Sequence, residues 1–251
     1  MLWQGNLNGL NQIPPLIPTI APFTYTTAKK IRLGHLVERC VIHQLQHQPN
    51  THIIAENVQI RQDKQTIGEL DCLLKQNNIP VHLEMVYKFY LYDETVGNTA
   101  LEHWIGPNRK DSFVEKLKKL ADKQLPLLHK SETAKTLESY HLQAKNIKQY
   151  VHFQAQLFVP YQTKNQKFTH INTACIEGVY IHKKYSVKFQ EQLWYIPNKH
   201  DWLCKPHIHV PWKSYAAIQT ELSSFLDQKR APLCWVKNAA NIIQKVVVVW
   251  W

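Results

Sequence analysis

Glycine is scarce in this chain, with seven in 251 residues. Neither a P-loop nor a G-x-S-x-G elbow occurs, which disfavours P-loop nucleotide binding and serine hydrolysis. Arginine is scarcer, five against 25 lysines. Base-edge reading in nucleic acid leans on arginine's bidentate fork, whereas lysine meets phosphate as a mobile point charge, so the balance points to backbone contact with little sequence readout. The five cysteines (Cys40, Cys72, Cys175, Cys204, Cys234) are odd in number, scattered and never paired as CxxC. That argues against a disulfide framework and for a reducing compartment. Long apolar runs are missing too. Val246 to Trp251 is the longest, far below the ~20 residues that cross a bilayer. The first 22 residues hold four prolines and no positive charge, so they lack the n- and h-regions of a signal peptide. A cytoplasmic protein with no membrane partner is expected.

Acidic residues are outnumbered, which leaves a net charge of +11. A basic excess of this size favours a polyanionic partner, nucleic acid first (DNA ahead of RNA) and an acidic membrane surface second. The bland alternative is charge that serves solubility alone. With 44% hydrophobic and 20% charged residues the chain has globular composition, so it is expected to fold around a core.

The Pro- and Asn-rich start, residues 1–24, reads as an extended arm. A helix is predicted from a cap at Thr26 or Thr27 to about His47, with Leu33, Leu36, Val37, Cys40, Val41 and Leu45 as its apolar stripe and Glu38 at the stripe's edge. Strands are predicted over 53–61, 67–75 and 81–92. A helix follows behind the capping box Ser112-x-x-Glu115, with a core stripe of Phe113, Leu117, Leu120 and Leu127. A polar, mostly helical crossover over 130–150 then leads to a half-buried strand over 151–159. The order of helix, three strands, helix and strand implies a mixed α/β core. The last part is Trp- and Tyr-rich, with strand-like runs at Cys175–His182 and Leu193–Pro197, a helix over Trp212–Asp227 and a closing strand at Val246–Trp251.

The chemistry concentrates in Gly68-Glu69-Leu70-Asp71-Cys72-Leu73-Leu74 and Val81-His82-Leu83-Glu84-Met85-Val86-Tyr87-Lys88. Strand side chains alternate faces, so Glu69 and Asp71 share one face of the first strand, and Glu84, Val86 and Lys88 one face of the second. Carboxylates gathered with an ammonium on adjacent strands suit a hard cation such as Mg²⁺, which takes one or two carboxylates plus substrate phosphate oxygens. The bland readings are an Asp71–Lys88 salt bridge, a solvent-facing Glu69 and a His82 that is merely hydrogen-bonded.

Glu38 on a preceding helix, Gly68-Glu69-x-Asp71 on a strand and Glu84 followed by a lysine on the next strand resemble the PD-(D/E)XK nuclease superfamily. The chain also resembles, over most of its length, the bacterial family named domain of unknown function 1853 (DUF1853). That second likeness rests on His82 through Leu91, Trp104-Ile105-Gly106-Pro107-Asn108, Gln124-Leu125-Pro126-Leu127, Leu157-Phe158-Val159-Pro160 and Trp202-Leu203-Cys204-Lys205-Pro206. The nuclease resemblance implies a restriction-endonuclease-like mixed sheet flanked by helices over residues 28–160. Residues 1–27 would be an arm, and 161–251 a Trp/Tyr-rich extension packed on the core. It implies a Mg²⁺- or Mn²⁺-dependent phosphodiesterase in which Asp71 and Glu84 ligate the metal, Lys88 steadies developing charge and Glu38 supports the site, with Glu69 and His82 alongside. The alternative is a catalytically inactive scaffold that binds nucleic acid or a protein. One departure stands out. The superfamily's lysine follows its glutamate by two residues, where this chain has Val86. Lys88 follows by four, roughly 13 Å along a strand rather than about 6.6 Å.

Segment 109–150 carries ten basic against five acidic residues. Arg109, Lys110, Lys116, Lys119 and Lys123 are its expected backbone contacts. Cys204-x-x-His207-x-His209, with His200 nearby, suggests zinc but lacks a paired second half. Trp194, Tyr195 and Trp202 could stack nucleobases, although core packing is the commoner fate of such residues.

Overall fold

The structure is a computed structural model of the chain that describes residues 1–23, 31–162 and 168–251. In chain order its elements are β1 (Asn6–Leu7), β2 (Leu10–Asn11), α1 (Leu33–Gln46), β3 (Thr51–Gln62), β4 (Gln65–Gln76) and β5 (Ile79–Tyr92). These are followed by β6 (Trp104–Ile105), α2 (Phe113–Lys119), α3 (Ser131–Ser139), β7 (Lys148–Pro160) and β8 (Ile176–His182). The chain closes with β9 (Leu193–Tyr195), β10 (Lys213–Ser214), α4 (Tyr215–Asp227), β11 (Leu233–Lys237) and β12 (Ile243–Val249). It is a mixed α/β protein with mixed sheet pairing and flanking helices, as expected. It divides into two compact units, residues 1–87 with 115–155, and 88–114 with 156–251. Strands β5 and β7 run through both.

In the first unit the strand order is β7-β5-β4-β3. β3 and β4 pair antiparallel, as do β4 and β5. The second hairpin closes on two residues, Asn77 and Asn78, whose φ angles are 50° and 64°. Both sit in the left-handed region that asparagine tolerates, and such a pair makes a turn whose twist matches that of the flanking strands. Leu70 and Leu73 of β4 and Val58 and Ile60 of β3 pack against Leu127, Leu128 and Leu137 in a buried cluster. α1 begins at Leu33, and Ile31 and Arg32 are not helical. The expected caps Thr26 and Thr27 lie outside the described residues. Its Leu36, Val37, Val41, Ile42 and Leu45 are buried, the stripe that the spacing predicts. After α2 the chain widens through a π turn (120–124) and then tightens through a 3₁₀ turn (125–129), where one continuous helix is predicted. Pro126 accounts for the break, because it removes a backbone donor from the helix. The arm contains a small β1–β2 hairpin, and its backbone bonds β7 through Leu2 N–H to Phe153 O and Ile13 N–H to Val151 O, each 2.9 Å.

In the second unit β8 pairs parallel with both β7 and β12, and β11 lies antiparallel between β12 and β9. Trp194, Phe189, Cys234, Val246 and Val248 form its core with Ile218, Leu222 and Leu226 of α4. α4 is capped by Ser214, whose hydroxyl accepts the Ala217 N–H. Trp194 and Trp202 are buried and so serve packing. His207 packs its ring on Trp235 at 5.1 Å, while Cys204 is exposed.

Candidate functional site

The site lies in the first unit, where β4 and β5 part. Their ladder runs from Gln76↔Ile79 to Cys72↔Leu83. Beyond that pair, the Met85 amide donates to the Asp71 carboxylate (Oδ2, 2.8 Å). A side chain thus takes an amide just past the end of the ladder, and this fixes Asp71 beside Glu84. Burial pushes the Asp71 carboxyl up to about 8, and the nearby Glu84 and then Glu38 add to the rise. The Met85 bond and the Lys116 ammonium oppose it. Glu69 is raised as well, by burial and then by Glu38.

Glu84 is fully buried and held from two sides. His82, equally buried, meets its Oε1 at 3.0 Å. Gln149 donates through Nε2 both to His82 Nδ1 (3.0 Å) and to Leu125 O (2.7 Å). Because His82 Nδ1 accepts, its proton sits on Nε2 and is donated to Glu84. From the other side the Gln124 amide donates to Glu84 Oε2. Gln124 is oriented in turn by Lys116, whose Nζ donates to its Oε1 at 2.6 Å. A line of donors therefore runs from Lys116 through Gln124 to Glu84, met there by His82, which Gln149 holds from behind.

Asp71 opens on a cleft of about 320 Å³ lined by Arg32, His35, Glu38 and Arg39 of the α1 region, by Glu56 and Asn57 of β3, and by Met85. Glu38 is engaged by His35 (Nδ1 to Oε2, 3.0 Å). Asn57 stands at φ 52°.

Of the residues that the sequence singles out, Asp71, Glu84, Glu69, Glu38 and His82 are brought together, and Lys116 joins them from α2. Lys88 belongs to the second unit, where its Nζ donates to Asp111 at 2.6 Å. The ammonium whose field reaches Asp71 is that of Lys116. Arg109 is also in the second unit, paired with Asp93 and stacked 4.0 Å over the Trp251 ring. Lys110, Lys119 and Lys123 are exposed. Sequence reasoning misses Gln124, Gln149, Glu56, Arg32 and Arg39 as site residues. Gln124 does open one of the stretches that carry the family likeness. Among the described residues no three His, Cys, Asp or Glu side chains are grouped so as to hold a metal ion by themselves.

The family model described as domain of unknown function (DUF1853) matches residues 18–247. The chain belongs to this family. No curated protein and no solved structure matches it. Among the described residues of this DUF1853 chain, no helix is long and apolar enough to cross a membrane.

Proposed function

We propose that this DUF1853 protein is a metal-dependent phosphodiesterase acting on nucleic acid, DNA ahead of RNA, with a PD-(D/E)XK-like site. One observation carries the reading. A half-buried Asp71 stands beside a fully buried Glu84 at the edge of a cleft, with Lys116 tied to Glu84 through Gln124. Asp71 and Glu84 would hold Mg²⁺ or Mn²⁺, an ion that takes one or two carboxylates and completes its shell with water and phosphate, so a third protein ligand is not required. Asp71 suits such an ion, because its ionised form is disfavoured by burial and by two neighbouring carboxylates until a cation offsets them. When bound, the ion supplies a water of lowered pKa and neutralises phosphate charge. Lys116, rather than Lys88, stabilises charge that develops on the phosphate. Gln124, His82 and Gln149 orient Glu84, and Glu38 supports the site from α1. The five free cysteines fit a reducing, cytoplasmic setting.

A second reading, a scaffold that binds nucleic acid without cutting it, draws on the two donors that already engage Glu84. Cleavage assays separate the two. Asp71→Ala and Glu84→Ala are expected to abolish Mg²⁺- or Mn²⁺-dependent cleavage while oligonucleotide binding persists. Lys116→Ala should lower turnover by about 10²–10³-fold, the usual cost of removing a donor aimed at developing charge, and Lys88→Ala by much less. Wild-type protein that binds but does not cut with either metal establishes the scaffold instead.

A further inference from the structure

The cleft has two chemically different walls. One presents Glu56 and Asp71 from the strands. The other is the α1 region, with Arg32 just before the helix and His35 and Arg39 four residues apart on one helical face, all three lining the cleft. Glu38 also stands on that side but is engaged by His35. Both arginine side chains are exposed, and among the described residues neither guanidinium forms an ion pair, although three carboxylates line the same cleft. The choice of residue is itself informative. Lysine outnumbers arginine five to one in the chain, yet among the described residues two of the five arginines and no lysine line the cleft. Guanidinium differs from ammonium in offering a rigid fork of donors that matches two phosphate oxygens at once.

We infer that the α1 wall is a phosphate-binding wall, on which Arg32 and Arg39 each hold a separate backbone phosphate of a nucleic-acid strand lying across Asp71. Arg32 precedes the first residue of α1 and Arg39 is its seventh, so the helical rise from Leu33 to Arg39 at 1.5 Å per residue already separates them by about 9 Å along the axis, a span for two phosphates rather than one. The wall gives the site a strand direction and a register that the mobile surface lysines cannot supply. The inference rests on the proposed nuclease reading for its substrate class, but binding alone tests it.

The probe is a labelled single-stranded oligonucleotide, bound in EDTA over a series of salt concentrations so that no cleavage intervenes. Each phosphate contact on a single strand contributes about 0.7 to the slope of log K against log salt. Arg32→Ala and Arg39→Ala should each reduce the slope by about 0.7, and the double variant by about 1.4. Arg32→Lys and Arg39→Lys should restore slope but not full affinity, since the charge returns without the fork. Arg61→Ala, an exposed arginine outside the cleft, should change neither. An unchanged slope in the double variant overturns the inference, as does a wild-type protein that does not bind the probe. Arginine-dependent binding without metal-dependent cleavage refutes the nuclease reading and leaves the wall standing. Cleavage with unaltered slopes does the reverse.

Discussion

At the scale of single residues, Asp71 combines a place in the cleft lining with a strongly raised carboxyl. Its carboxyl is pushed from 3.8 to about 8, first by burial and then by Glu84. Between those values the folded protein holds a proton on Asp71 that the unfolded chain has released. Stability of the metal-free protein therefore falls as pH rises through that window. Asp71→Asn removes the titrating group and is expected to flatten the fall. Thermal midpoints measured in EDTA from pH 5 to pH 8.5 check this, and parallel curves for the two proteins would refute it. His152 behaves in the opposite sense. Burial lowers its imidazole to about 4. The stability it contributes is present above its ordinary value near 6.5 and is lost as pH falls towards 4, so acid and alkaline losses come from different residues.

At the scale of elements, the site is made by the β4–β5 hairpin and the turn laid against it. Gly68 sets that approach. A Cβ at this position would lie 2.5 Å from Leu127 Cδ2. Leu127 is buried in the cluster beneath β4 and follows closely on Gln124. Gly68→Ala is expected to displace Leu127 and destabilise the protein by about 1–3 kcal/mol, as overpacking does. Adding Leu127→Ala should relieve the clash, so the two changes should be strongly non-additive in denaturant titrations. A Gly68→Ala protein as stable as wild type would show that the contact is slack. The hairpin was legible in the sequence because alternation assigns Glu69, Asp71 and Glu84 to faces, and the Asn-Asn turn announces itself. Gln124 and Gln149 were not, since a lone glutamine in a turn or strand carries no periodic signal and gains its role only when a distant side chain, Glu84 for one and His82 for the other, meets it. Arg32 and Arg39 were hidden for the same reason. They are ordinary polar positions, one just before a helix and one on it, until β3 and β4 supply the opposite wall. Lys88 illustrates the converse, since parity placed it with Glu84 but could not foresee that Asp111 would claim its ammonium.

At the scale of the molecule, the net charge of +11 does not say where a polyanion lies, but the partners of the basic residues do. Arg109 is engaged by Asp93 and by the Trp251 ring, so it serves the second unit's own structure. Lys119 and Lys123 are exposed and follow Lys116 along α2 and the π turn, on the first unit, where the cleft lies. Their charge can gather a strand towards the site without ordering it, because a lysine contact is a point charge on a flexible stem. Lys119→Glu with Lys123→Glu is therefore expected to weaken oligonucleotide binding to a similar extent for unrelated sequences. Loss of two contacts reduces the salt slope by about 1.4 on single strands, and in cleavage assays the effect falls on KM rather than on kcat. Arg109→Ala should instead lower the thermal midpoint while changing the salt slope little. Titrations of several unrelated oligonucleotides, together with melting curves, separate the two classes. If Arg109→Ala reduces the slope as the lysine pair does, with an unaltered melting temperature, its pairing with Asp93 does not withhold it from the polyanion.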